Sequence, residues 1–209
     1  MKPFRFARPG TTLVELILFL GIFAVIGSLV LPILFASTET RLLQQTISIV
    51  EHNGTQLLQN VGYRIRMAER VLDPLPNGTG SVLALQTSSG AINPVIIGVN
   101  SGSLVVIRHT IKQVLSSPQV SIQNFVVRNT SASSGDYSVE VSFIASRTIR
   151  LQSPRTYRKI FKAAFTLFPI DNPKGNPCEC GEPQCIGNNN YSWEVCEGEC
   201  LSATTYLEC

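Results

Sequence analysis

The sequence has few charged side chains for its length. Charged residues make up 15% of the 209 residues, below the share typical of globular domains, whereas hydrophobic residues make up 44%. This apolar content is enough to build a core, which excludes a disordered or collagen-like chain. Apart from Lys2, Arg5 and Arg8, the remaining 14 bases equal the 14 acids, so net charge gives no indication of a nucleic-acid partner.

Residues and motifs typical of enzymes are also scarce. The chain has 2 histidines, His52 and His109, which we expect to be ordinary surface or capping residues. It contains no glycine-rich phosphate loop, no HExxH zinc motif and no nucleophile elbow. We therefore expect no enzymatic activity, no cofactor and no bound metal.

Cysteine is absent from the first 177 residues and concentrated after them. Cys196 and Cys200 have a spacing that zinc sites use, but Cys178 and Cys180 are too close together for most structural zinc sites. An even count in a short segment favours disulfides in an oxidising compartment. The pairing cannot be read from the spacing. So short a tail cannot bury its own core, so we expect cross-links to stabilise it. The predicted disulfide residues are Cys178, Cys180, Cys185, Cys196, Cys200 and Cys209.

An uncharged apolar run extends from residue 16 to residue 36. This length suits a helix that crosses a membrane, and bases before the run predict a cytoplasmic N-terminus with everything after residue 36 outside. A cleaved signal peptide has a shorter apolar region, and a core helix would have a polar face. A plain signal anchor remains possible, but it leaves Glu15 unexplained, because a membrane carboxylate is costly without a partner.

The residues around Glu15 form a recognisable pattern, RPGTTLVE over residues 8–15. A basic leader, a glycine and a glutamate five residues later resemble the class III signal of type IV prepilins and type II secretion pseudopilins. The resemblance implies that prepilin peptidase cuts between Gly10 and Thr11 and methylates Thr11, where the family usually has Phe or Met. It also implies that Glu15 neutralises a neighbouring subunit's amine during assembly, and that Pro32 kinks the helix.

The rest of the chain predicts an α+β fold. Apolar residues spaced by three or four predict an amphipathic helix from Thr38 to about Leu72, with a possible kink at Asn53-Gly54. Segments in which β-branched and aromatic residues alternate or cluster then predict an antiparallel sheet on which the helix packs, as in the pilin fold. The expected strands are 81–86, 95–99, 103–108, 120–127, 137–145 and 161–168.

These features divide the chain into a leader (1–10), a membrane and filament-core helix (11–37), a stalk helix (38–73), a β-rich pilin domain (81–170) and an acidic cysteine-rich tail (171–209). In the tail, Tyr191, Trp193 and Tyr206 offer a recognition surface, although a purely structural role is favoured. A basic stretch from Arg147 to Lys162 could bind DNA. We favour instead a solvated face or a counterpart of the acidic tail, so a nucleic-acid partner is not expected.

The loose pattern over residues 81–168 resembles the J group of minor pseudopilins and related minor pilins. That resemblance implies a subunit of a type IV pilus-like or type II secretion filament, in its tip or initiation complex. The implied partners are prepilin peptidase, other pilins or pseudopilins in a helical filament, and the assembly platform of the inner membrane. The alternatives are a pilus-displayed adhesin or DNA-uptake receptor, and a plain single-pass membrane protein with a cysteine-rich binding domain.

Overall fold

The computed structural model describes residues 12–89, 92–131, 138–149, 154–167, 183–187, 189–196 and 200–209. The chain divides into two compact units, Met1–Gln45 and Thr46–Cys209. The first unit consists, in its described part, of the beginning of one helix. The second contains the rest of that helix and all the described strands.

Helix α1 runs over Leu13–Arg66. Its most apolar window of 18 residues has a mean hydropathy of 2.8 and none of it is buried by protein. Large side chains along this part, such as Leu13, Phe23 and Phe35, are more than 60% exposed. Exposure on all sides is what an apolar helix shows when lipid or other subunits cover it. The length and composition predicted for a membrane span are confirmed, although a signal sequence has the same properties.

The C-terminal part of α1 is amphipathic. Its buried residues recur mostly every three or four positions, which places them on one stripe: Thr46, Val50, Gly54, Leu57, Val61, Gly62 and Ile65. The helix continues through Asn53 and Gly54, so these residues do not end it. It stops at Arg66 rather than near Leu72, because Arg70–Asp73 pairs with another strand. The apolar spacing alone could not reveal this competing pairing.

The strands form antiparallel sheets. The strands of two of these sheets are β1 (Arg70–Asp73), β2 (Thr79–Gly80), β3 (Val82–Gln86), β4 (Val95–Asn100), β5 (Ser103–Arg108), β6 (Ile111–Val114), β7 (Ser121–Asn129), β8 (Ser138–Ile149) and β9 (Arg155–Thr166). A five-stranded sheet has the order β1-β3-β4-β5-β6, and a four-stranded sheet has the order β2-β7-β8-β9. A strand is present at each of the six predicted positions, although the ends differ: β9, for example, begins at Arg155 rather than at residue 161.

The main core lies between α1 and the two sheets. Val50, Leu57, Val61 and Ile65 of α1 are at most 2% exposed and belong to one cluster with apolar residues of both sheets. Burying a side chain of this size contributes about 1.5–3 kcal/mol. The members contributed by the sheets include Leu83, Leu85, Ile97, Leu104, Val106, Ile122, Val127, Val139, Val141, Phe143 and Phe161.

The C-terminal residues form a third sheet from β10 (Gln184–Cys185), β11 (Asn190–Cys196) and β12 (Cys200–Tyr206). Alternate residues of β11 are buried in a second apolar cluster with Val82, Ala84, Ile96, Val105 and Ile107 of the five-stranded sheet. These belong to strands that also supply the main core, so both faces of that sheet are covered. A cysteine tail that we expected to depend on cross-links therefore packs on an apolar surface.

The fold class is confirmed as α+β, with one long apolar N-terminal helix, antiparallel sheets and a disulfide in the C-terminal segment. This arrangement is compatible with a pilin-like fold. The structure adds that the described strands divide among three sheets.

Candidate functional site

The predicted processing site lies at the start of the chain. Gly10 and Thr11 fall outside the described residues, so cleavage and methylation there stay predictions. The described structure begins with Thr12, whose hydroxyl oxygen accepts a hydrogen bond from the amide of Glu15 at 3.4 Å. The carbonyl of Thr12 accepts from the amide of Leu16 at 3.2 Å. Thr12 is therefore the N-cap of α1.

This geometry gives Glu15 a local role that the sequence reasoning missed. Thr12 and Glu15 have the T-x-x-E spacing of a capping box, and Glu15 is the acidic residue of the first turn. A negative charge there is stabilised by the unpaired amides at the helix N-terminus. A structural role for Glu15 must therefore be separated from the assembly role.

Pro32 lies within α1, which is helical on both sides of it. Proline lacks an amide hydrogen and so removes one bond of the helical ladder. A bend at Pro32 in an assembled filament stays a prediction.

Two glycines of α1 lie beneath phenylalanine rings of β9. A Cβ atom on Gly54 would overlap the ring of Phe161, and one on Gly62 would overlap the ring of Phe165. Arg66 lies over the Phe165 ring at 5.6 Å from its centre. Gly54 therefore allows close packing of helix and strand rather than a kink.

Polar contacts complete the packing of α1 on β9. Lys159 Nζ donates a hydrogen bond to Glu51 Oε1 at 2.7 Å, and the Tyr157 hydroxyl donates to the same oxygen at 3.4 Å. The hydrogen bond from Lys159 lowers the pKa of Glu51, and Glu51 raises the pKa of Lys159. Both side chains are exposed, so solvent screens their attraction.

The basic stretch does not form one uniform surface. Lys159 faces Glu51 of the helix, whereas Lys162 pairs with Glu140 of β8 at 2.9 Å. Arg147 donates to Gln119 at 3.4 Å, and Arg150 lies outside the described residues. Two of the bases are thus paired with acids of α1 and β8 rather than of the tail. Lys159 and Lys162 point to opposite faces of β9 because successive side chains of a strand alternate between its faces.

The cysteines are placed in part. Cys185 and Cys209 form a disulfide, with a sequence separation of 24 residues. Backbone register places Cys196 opposite Cys200 at the β11–β12 turn, and the expectation that each belongs to a disulfide stays a prediction. Cys178 and Cys180 lie outside the described residues.

The tail aromatics are mostly buried rather than displayed. Tyr191 and Trp193 are 1% and 3% exposed, whereas Tyr206 is 45% exposed. The Tyr191 hydroxyl donates to Asp73 Oδ2 at 2.7 Å, and Trp193 Nε1 donates to the carbonyl of His109 at 2.9 Å. Burial, followed by the nearby Asp73, raises the pKa of Tyr191. These three residues therefore do not form a shared exposed surface, which agrees with the structural role that the sequence favoured.

A cavity of about 400 Å³ lies beside the Cys185–Cys209 disulfide. Leu72, Asp73 and Tyr191 are among the residues that line it.

The two histidines lie apart from this cavity lining. His52 is exposed on α1, and His109 lies in the β5–β6 turn with a φ of 58°. Within the part of the chain that the structure describes, no three His, Cys, Asp or Glu residues are grouped to hold a metal ion.

Comparison with protein-family models, curated proteins and solved structures found no match to this chain.

Proposed function

We propose that this protein is a minor pilin or pseudopilin subunit of a type IV pilus-like or type II secretion filament. The observation that carries the proposal is the joint occurrence of the RPGTTLVE segment and helix α1. Glu15 stands in the first turn of that helix, as the fifth residue after the proposed cut between Gly10 and Thr11. A single helix thus supplies both an exposed apolar segment and the stripe that packs on antiparallel sheets.

In this proposal the protein enters the inner membrane as a single-pass protein. The bases before α1 keep the N-terminus cytoplasmic, and the second unit is extracytoplasmic, where its disulfide forms. After cleavage by prepilin peptidase, the assembly platform extracts the subunit into a helical filament with other pilins. A tip or initiation complex is the proposed position.

The exposed apolar face of α1 gives this assembly a physical basis. Outside a bilayer, side chains such as Leu16, Phe19 and Phe23 must be covered, and a bundle of equivalent helices covers them. The carboxylate of Glu15 then needs a cation within the bundle. The amine created at Thr11 by cleavage supplies such a cation from a neighbouring subunit.

The test is the intact mass and N-terminal sequence of the full chain expressed with and without prepilin peptidase. We expect a chain that begins at methylated Thr11 only when the peptidase is present. Gly10→Ala serves as a variant expected to resist cleavage. A chain that still begins at Met1, or that is cut near Ala36, would overturn the proposal in favour of a bitopic or secreted binding protein.

A further inference from the structure

A second cavity, of about 330 Å³, lies where the five-stranded and four-stranded sheets meet. Its walls come from the β4–β5 turn, the segment that leads into β7 and the C-terminal part of β8. In the turn, Ser101 and Gly102 have positive φ values of 49° and 75°. The carbonyl of Gly102 accepts a hydrogen bond from the amide of Ile122 in β7 at 2.8 Å. A backbone contact between the two sheets therefore fixes the shape of this cavity.

Most residues that line the cavity have side chains that form hydrogen bonds. Arginine, serine, threonine and glutamine are among the residues with which proteins contact phosphate oxygens. An apolar ligand would leave these polar groups without partners, so the lining favours a polar ligand. The polar residues of the lining are Ser101, Ser103, Gln119, Ser121, Ser146, Arg147 and Thr148.

The lining has a positive charge. Among the described residues, Arg147 is the one base that lines the cavity, and no acid lines it. Arg147 pairs with no acid in the described part of the chain, and its Nη1 atom donates to the neutral amide oxygen of Gln119 at 3.4 Å. Glu208 accepts a hydrogen bond from the amide of Gly102 at 3.4 Å but is not a lining residue. The cavity therefore favours an anionic ligand over a neutral or cationic one.

Two donors of the lining hold their acceptors at long distances. Ser146 is 7% exposed, and its hydroxyl donates to the carbonyl of Ser121 at 3.4 Å. The contact between Arg147 and Gln119 has the same length. Well-formed hydrogen bonds of these kinds are about 2.5–3.2 Å long. The buried hydroxyl and the guanidinium group can therefore each form a shorter bond to an incoming acceptor.

We propose that this cavity binds the phosphate group of a small molecule, with Arg147 as the charged donor and the hydroxyls of Ser121 and Ser146 as neutral donors. A phosphate group has several strong acceptor oxygens, so it accepts from a guanidinium fork and from hydroxyls at the same time. A single base fits one phosphate rather than the successive phosphates of a nucleic acid. This inference does not depend on the pilin assignment.

The size of the cavity limits the ligand. Small-molecule sites have volumes of about 300–1,000 Å³, and this cavity of about 330 Å³ lies at the lower end of that range. It therefore has room for a small organic group beside the phosphate. A lipid headgroup and a soluble phosphate ester share this chemistry.

The test uses the full chain in micelles of an uncharged detergent, with glycerol 3-phosphate as the probe and glycerol as its uncharged control. We expect calorimetry to detect binding of glycerol 3-phosphate and none of glycerol. Arg147→Gln should weaken binding about tenfold or more, because it removes a charge-assisted hydrogen bond. Ser146→Ala should weaken binding less, because it removes a neutral donor. Arg128→Gln removes an exposed charge from β7 outside the lining, so it should bind as the unmodified protein does.

Thermal melting without ligand shows whether each variant is folded. Arg147→Lys keeps the charge but loses the guanidinium fork, so its affinity should lie between those of the unmodified protein and Arg147→Gln. This variant provides the test if Arg147→Gln does not fold. No binding of glycerol 3-phosphate, or equal affinity of the unmodified protein and both Arg147 variants, would overturn the proposal.

Competition experiments separate the phosphate ligand from other ligands. Equal binding of glycerol and glycerol 3-phosphate would overturn the phosphate assignment and favour a neutral polyol. Tighter binding of a short DNA duplex, weakened as much by Arg128→Gln as by Arg147→Gln, would overturn the proposal in favour of a nucleic-acid surface. If a short-chain phosphatidic acid displaces glycerol 3-phosphate more effectively than unlabelled glycerol 3-phosphate does, the site binds a lipid headgroup. Weaker displacement by that lipid assigns the site to a soluble ester.

Discussion

Gly54 of α1 lies directly beneath the ring of Phe161 on β9, so closely that a Cβ atom at Gly54 would overlap the ring. The ring cannot easily move away. It is 7% exposed and stacks on Phe143 with ring centres 5.5 Å apart and planes 20° apart. Lys159 Nζ lies 5.7 Å from the centre of the same ring. Gly54, like Gly62 beneath Phe165, therefore allows the close approach of the helix to the four-stranded sheet.

Gly54→Ala should destabilise the protein even though alanine is the better helix former. The higher helical preference of alanine contributes about 1 kcal/mol. Forcing its methyl group into the packed contact with Phe161 costs about 1–3 kcal/mol, because the ring has little room to move. We expect a net loss of about 1 kcal/mol in the free energy of unfolding, measured by denaturant titration in micelles. Ser48→Ala, at an exposed position of the same helix, is the matched control and should change little.

A double variant tests whether the contact with Phe161 causes this loss of stability. Phe161→Leu alone leaves a smaller side chain over Gly54 and should destabilise. Combined with Gly54→Ala, it should cost less than the sum of the two single changes, because the added methyl group then has room. Strict additivity would mean that the contact between these two residues does not limit the approach of helix and sheet.

The sequence was most informative where local pattern and final packing agree. The strands around Leu83 and Val105 are short apolar runs, and the strand around Val141 alternates apolar and polar residues. All three are present where these patterns predict strands. The end of α1 was less predictable, because the pairing of Arg70–Asp73 with β3 is a long-range contact that overrides apolar helical spacing. This pairing has no signature in the segment itself.

The tail contains a pattern that was compatible with two roles. Tyr191, Trp193 and Val195 alternate with polar residues, which is the pattern of a half-buried strand. Because cysteines and acids surround them, Tyr191 and Trp193 also fitted an exposed recognition surface, although a structural role was favoured. Their burial depends on an apolar second face of the five-stranded sheet, including Ile96 and Ile107, which only the topology reveals.

The Glu51–Lys159 pair should give stability a defined pH dependence. The folded pKa of Glu51 lies below its ordinary 4.5, so its contribution is present above pH 4.5 and lost as pH falls through the folded value. The folded pKa of Lys159 lies above 10.5, so its contribution is present below pH 10.5 and lost as pH rises through the folded value. We expect Lys159→Met to be slightly less stable near neutral pH, with the difference shrinking at both extremes.

Thermal unfolding as a function of pH and salt measures this difference. Added salt should reduce it, because both side chains are exposed and screened. Arg158→Met, which changes the preceding, exposed base of β9, is the control. A stability difference for Lys159→Met that is independent of pH and salt would assign the effect to packing on Phe161 instead of charge.

Tyr191→Phe should weaken the attachment of the C-terminal sheet. The change removes the hydrogen bond to Asp73 and leaves the ring in place, and a bond to a carboxylate contributes about 1.5–3 kcal/mol. The folded pKa of Tyr191 is raised above its ordinary 10.0, so the phenol's contribution is complete below pH 10.0 and lost as pH rises above it. Denaturant titrations should therefore show a lower free energy of unfolding for Tyr191→Phe than for the unmodified protein near neutral pH, and this difference should become smaller at alkaline pH. Tyr206→Phe, at an exposed position, should show neither effect.

Removing the Cys185–Cys209 disulfide should lower stability without releasing the C-terminal sheet. The two cysteines are 24 residues apart, and the entropy of closing a loop of this length predicts that removing the cross-link lowers the free energy of unfolding by about 3 kcal/mol. Trp193 is the only tryptophan and is 3% exposed, so its emission reports whether β11 stays packed. We expect Cys185→Ser with Cys209→Ser to melt at a lower temperature but to keep blue-shifted emission. Red-shifted emission with the other sheets intact would mean that the cross-link, rather than the second apolar cluster, holds the tail.

The two roles of Glu15 can be separated by paired variants at the start of α1. Glu15→Gln removes the charge but keeps a side chain suited to a capping box, so helix formation, membrane insertion and cleavage should persist. Thr12→Ala keeps the charge but removes the cap, at about 1 kcal/mol of helix stability. If Glu15 neutralises a neighbouring amine, filaments sheared from cells and blotted for this subunit should lack Glu15→Gln and contain Thr12→Ala. Loss of both variants would assign Glu15 to capping, and incorporation of both would leave the carboxylate without an assembly role.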